Sequence, residues 1–185
     1  VRLVKVFDAA SKNRNEIVKR TVRTFFDSAS VTASDAYRVA YRSPSGRPVL
    51  TRGTLPCEAS ISFAHVDMLT AIAIDDRASI GIDLVRLEDS CALQDWATGD
   101  RTERLPSMGG AAFCWAAREA AYKATALDIP FRPDSFAFSV LNARSFIWTC
   151  RQEDYEVFGE GLFALHGSVV CALAVRNSLR RGEHR

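Results

Sequence analysis

The chain has 185 residues, 48% of them hydrophobic and 25% charged, with 24 lysines and arginines against 22 aspartates and glutamates. This length allows one large domain or two small lobes with buried cores, and a net charge of +2 excludes the broad basic footprint of a nucleic-acid-binding protein. No apolar run reaches the ~18 residues that cross a bilayer, and no apolar leader opens the sequence, so a cytoplasmic protein without a membrane partner is expected.

In chain order, Val1 to Phe7 alternates apolar and basic residues and predicts a half-buried strand. Ile17, Val18, Val22, Phe25 and Phe26 recur at helical spacing between Ser11 and Phe26, with Ser11 or Asn13 as N-cap. Ala36 to Tyr41 alternates again, and Ser43 to Pro48 is dense in turn formers. Ala59 to Phe63 and Met68 to Ile74 predict two further strands, the second closed by an Asp75-Asp76 turn. A second series starts at Ser79 with SIGIDLV, an apolar strand carrying one aspartate.

Residues 88 to 110 are polar and hold the least regular pattern. Ala111 to Leu127 is the clearest helix, stopped by Pro130 and Pro133. Val140, Ile147, Val157, Leu162 and Val169 to Val175 mark antiparallel strands. Strand, helix and strands therefore occur twice. This predicts an α+β protein of two similar α/β lobes related by a pseudo-two-fold axis: an N-terminal lobe over 1–77, a C-terminal lobe over 78–176 and a polar tail over 177–185.

The five cysteines, at 57, 91, 114, 150 and 171, include no C-x-x-C pair. Their odd number and spacing argue for a reducing compartment, and against both a disulfide framework and a structural zinc site. His65, His166 and His184 show no metal-ligand spacing.

Chemistry concentrates in the segment Phe113 to Lys123. Trp115, Glu119 and Lys123 are spaced by four and share a helix face. Taken alone, that face reads first as a surface Glu–Lys pair beside a core tryptophan. Asp83 adds a carboxylate within an apolar strand, where an unpaired charge is costly and a cation is needed. Two carboxylates without histidine or thiolate ligands favour a hard ion such as magnesium, and Lys123, one turn beyond Glu119, suits a phosphate oxygen. In the first half, Gly46-Arg47-Pro48 reads as a turn presenting a cation, and His65, between two strands, is expected at a loop rim. Taken singly, Arg47 reads first as a solvated turn residue and His65 as a hydrogen-bonded structural histidine.

Gly46-Arg-Pro48, Ser62-Phe-Ala-His65, Gly81-Ile-Asp83 and Trp115-Ala-Ala-Arg-Glu119-Ala-Ala-Tyr-Lys123 together resemble the 4′-phosphopantetheinyl transferases, in particular the two-lobed type that activates surfactin synthetase and similar assembly lines. The resemblance runs from about residue 14 to residue 124. It implies transfer of phosphopantetheine from coenzyme A, lying between the lobes, to a serine of an acyl or peptidyl carrier protein, by a monomer. By the same resemblance Asp83 and Glu119 are magnesium ligands, Glu119 helps deprotonate the carrier serine, and Lys123 contacts the reacting phosphate. Arg14, Arg47, Pro48 and His65 map to the nucleotide end of coenzyme A, with Arg14 and His65 at its 3′-phosphate.

The chain departs from the family pattern at Val85, where a second acidic residue is usual, at Ala64 in place of serine, and at Arg118 in place of lysine. These departures keep open a second reading, a catalytically weak homologue that binds coenzyme A or a carrier. A generic nucleotide-binding protein has less support, because no glycine-rich phosphate loop is present. Arg86, Arg101 and Arg104 are the candidate residues for docking an acidic carrier.

Overall fold

The computed structural model describes residues 2–8, 14–28, 37–42, 46–97, 109–152 and 155–181. Among these the chain is mixed α+β, with two α-helices and three antiparallel sheets. It divides into two compact units, Val1–Ser79 and Ile80–Arg185.

The first unit holds β1 (Arg2–Asp8), α1 (Arg14–Ser28), β2 (Tyr37–Arg42), β3 (Arg47–Arg52), β4 (Leu55–Pro56), β5 (Ser60–Val66) and β6 (Leu69–Asp75). Its two sheets have the orders β1-β6-β5 and β2-β3-β4. On α1, Val22, Phe25 and Phe26 form an apolar stripe that packs with Leu50, Ile61, Ile72 and Ile74, the usual way a solvent-facing helix closes over a core. Tyr37 of β2 stacks on Phe26, with ring centroids 3.6 Å apart.

Two expectations are corrected here. Arg47 and Pro48 open β3 rather than sitting in a turn, paired with Arg42 and Tyr41 of β2. β4 pairs only with Thr51 and Arg52, so the missing amide of Pro48 leaves no gap in a ladder on that side. His65 likewise lies within β5, opposite Thr70 of β6, rather than at a loop rim. The expected caps Ser11 and Asn13 lie outside the described residues.

The second unit holds β7 (Ile80–Arg86), α2 (Gly110–Thr125), β8 (Phe136–Asn142), β9 (Ser145–Gln152), β10 (Tyr155–His166) and β11 (Val169–Arg181). Its strands form one sheet, β7-β11-β10-β9-β8. β8 and β9 alternate buried and outward residues: Phe136, Phe138, Val140, Phe146, Trp148 and Cys150 point inward, the period of two expected of a sheet covered on one face. The cover is α2, whose Ala112, Ala116, Ala117, Ala120, Ala121 and Ala124 are buried in the same cluster. Alanines let the helix backbone sit close to the sheet, and Phe113 fills the remaining volume against Phe163, their centroids 5.2 Å apart.

Residues 177–181, expected to belong to a polar tail, instead continue β11. Beyond a register shift between Phe158 and Gly159, Ser178 to Arg181 pair with Phe158 to Tyr155 of β10, and this twelve-residue neighbour supplies ladder partners that hydrophobic patterning does not reveal. Within the polar 88–110 stretch, the segments Leu87–Ser90 and Gln94–Ala97 form short 3-10 turns. No helix among the described residues is long and apolar enough to cross a membrane.

Candidate active site between strand β7 and helix α2

Gly81 sets the geometry of the site. A Cβ at this position would overlap the carbonyl oxygen of Ala120 and lie 2.6 Å from the amide nitrogen of Ala124. Only glycine lets β7 approach the α2 backbone this closely. Asp83, two residues on, shares the face of β7 that Gly81 presents to the helix.

The Asp83 side chain is only 12% exposed, and its charge is met by Lys123. The Lys123 ammonium donates to Asp83 Oδ1 at 2.7 Å and to the backbone carbonyl of Ile82 at 3.1 Å. A carboxylate at this depth needs such a partner, because desolvation without one costs several kcal/mol. Glu119, one turn before Lys123, is half-buried. Burial raises its pKa above the ordinary glutamate range, the negative charge of Asp83 raises it further, and Lys123 acts in the opposite direction. Asp83, Glu119 and Lys123 are thus one electrostatic cluster across a strand and a helix.

The neighbours of the cluster hold it in place. Trp115 packs edge-on against Phe131 at 5.8 Å and leans on the core. Arg118 is adjacent to Glu119 in sequence but about 100° around the helix. It is buried, with its guanidinium 5.2 Å from the centroid of the Phe138 ring, and so serves the core. Val85 is buried in the cluster beneath α2. At the far end of the helix, Arg176 donates to the carbonyl oxygen of Thr125 at 2.7 Å, a cation on an otherwise unsatisfied C-terminal carbonyl. Cys171, on β11, has its thiol pushed up to about 11 by burial and by Asp83.

Among the described residues there is no group of three or more histidine, cysteine, aspartate or glutamate side chains that could hold a metal. Two carboxylates are nevertheless the donor set of a magnesium ion that keeps several waters and takes phosphate oxygens from its substrate. The repulsion between Asp83 and Glu119 is what a divalent cation would relieve, so the residues present fit that ion.

The remaining sequence-derived candidates lie in the first unit. Arg14 begins α1, Arg47 and Pro48 begin β3, and His65 is exposed on β5. The Nε of Arg14 is buried without a hydrogen-bond partner. Sequence reasoning missed a groove of about 610 Å³ between α1 and β2, whose described lining includes Asn15, Lys19, Arg23, Tyr37, Arg38 and Tyr41, with Lys19 paired to Glu16 at 2.7 Å. Its signal lies in the i, i+4 pair Lys19 and Arg23, which the patterning that located the apolar stripe of α1 passes over. Of the docking candidates, Arg86 is paired with Glu88 at 3.1 Å and Asp89 at 3.3 Å, while Arg101 and Arg104 lie outside the described residues.

No protein-family model matches the chain, and no curated protein matches it.

Proposed function

We propose that the protein is a magnesium-dependent 4′-phosphopantetheinyl transferase that converts an apo acyl or peptidyl carrier protein to its holo form. The observation that carries this reading is the Asp83–Glu119–Lys123 cluster, assembled across β7 and α2 at the close approach that Gly81 permits. The reading takes the two units as similar lobes related by a pseudo-two-fold axis, the second carrying the chemistry. Phosphoryl transfer asks a protein mainly for positioning and charge compensation, and two carboxylates beside an ammonium group can supply both.

Asp83 and Glu119 would hold the magnesium ion, which when bound neutralises charge on the pyrophosphate of coenzyme A. Lys123 would bind the phosphate that reacts. The carrier serine oxygen attacks the β-phosphorus next to pantetheine, and the bond to 3′,5′-adenosine bisphosphate breaks. The serine proton passes to Glu119, directly or through a water, the role that the resemblance gives this carboxylate. In the first unit, Arg14, Arg47, Pro48 and His65 would take the nucleotide end, and the cation-lined groove between α1 and β2 favours an anionic ligand in the same unit.

Mass spectrometry of apo carrier proteins incubated with the protein, coenzyme A and magnesium tests this directly. The expected result is a phosphopantetheine adduct on the carrier serine. It should be lost with a chelator and reduced at least about a hundredfold in Glu119→Ala. The buried Val85, at the family's second acidic position, favours one other reading: a homologue that binds coenzyme A without turnover. Calorimetric binding of coenzyme A with no adduct on any carrier would select it.

A further inference from the structure

The Lys123 ammonium occupies an oxygen of Asp83 and a neighbouring backbone carbonyl. Its 2.7 Å contact is to an oxygen of the same carboxylate that the transferase reading gives to magnesium, and the Ile82 carbonyl at 3.1 Å gives it a second acceptor. A divalent cation on Asp83 would face a positive charge on the same carboxylate, and two cations this close repel strongly where both side chains are largely screened from water. Lys123 must therefore leave for the metal to bind well. Its flexible four-carbon stem allows that, and a phosphate oxygen is a strong alternative acceptor for the ammonium.

We propose that Lys123 is an internal cation that holds Asp83 closed to metal until a phosphate draws it away, so that divalent metal and phosphate bind cooperatively. The inference rests on the transferase reading for the identity of the site. It adds an order to its use: the phosphate-bearing co-substrate admits the ion, and the empty protein carries little metal.

The test is Mn²⁺ binding to the purified chain, followed by calorimetry and by electron paramagnetic resonance of the free ion, without coenzyme A. Lys123→Gln and Lys123→Met should each bind Mn²⁺ at least about tenfold more tightly than the wild type, because the competing cation is gone. Lys123→Arg, which keeps the charge, should stay close to the wild type. Adding Asp83→Asn to Lys123→Gln should abolish the gain.

Inorganic phosphate should tighten Mn²⁺ binding to the wild type and have little effect on Lys123→Gln. This arm is read on the wild type even if the variants fold poorly. Mn²⁺ affinity that phosphate leaves unchanged in the wild type, or that is equal in folded Lys123→Gln and wild type, would overturn the proposal while leaving the metal site standing. No Mn²⁺ binding by any form, with or without phosphate, would overturn the proposal and the magnesium reading together.

Discussion

Asp75 shows how much one side chain can fix. Only 5% of it is exposed, and it accepts hydrogen bonds from Arg2 Nε at 2.6 Å and from the amides of Arg77 at 2.8 Å and Ala78 at 3.0 Å. Burial alone would raise its pKa, but the three donors and the arginine charge outweigh burial and hold it below the ordinary carboxylate range. A depressed pKa means that the unfolded chain takes up the proton first. The stabilisation is therefore complete above the unfolded-state pKa and is lost as pH falls toward the lower native value. Asp75→Asn should cost about 1–3 kcal/mol at neutral pH. Its deficit relative to the wild type should shrink as pH drops through the carboxylate range, measured by urea denaturation at a series of pH values. The Asp75-Asp76 turn is legible in sequence, but Arg2, 73 residues away, is not. Asp83 is similar: its apolar surroundings announce the need for a cation, while its partner depends on which helix crosses the strand.

At the scale of the element, the decisive contact is between β7 and α2. A lone glycine in an apolar strand already suggests a close backbone approach, and the alanines of α2 supply the matching flat surface. Gly81→Ala forces a methyl group into the Ala120 carbonyl, so the strand and helix must separate. We expect a loss of about 1–3 kcal/mol, together with a weakened Asp83–Lys123 contact. Thermal unfolding and Mn²⁺ binding measured on the same sample would check both, and an unchanged melting temperature would contradict the packing described. Long periodic elements such as α2 and β6 are visible in the sequence because burial dictates their pattern. β3 is not, because arginines at both ends and a proline at its second position imitate a turn. Its identity comes from pairing with β2, a non-local fact.

At the scale of the whole molecule, the order of strands and helices, β3 and β4 apart, is readable from alternation and helical spacing. The sheet orders, and the extension of β11 to Arg181, depend on which neighbour offers a backbone ladder. The near-neutral total charge likewise conceals a local excess of cations along the α1–β2 groove, so composition and surface potential are separate properties here. The thiols extend the point from structure to time. All five cysteines are free: Cys91 is exposed, Cys57 is half-buried with a raised pKa, and Cys114, Cys150 and Cys171 are buried, the last two with pKa values pushed up to about 11. At neutral pH the last two carry almost no thiolate, so an alkylating reagent reaches them on the timescale of opening. Counting alkylated cysteines by mass against time should give a prompt label at Cys91, a slower one at Cys57, and a late set at the other three. That late phase makes the chain its own clock for the opening of the unit that holds the carboxylates, and a ligand that tightens this unit would slow it.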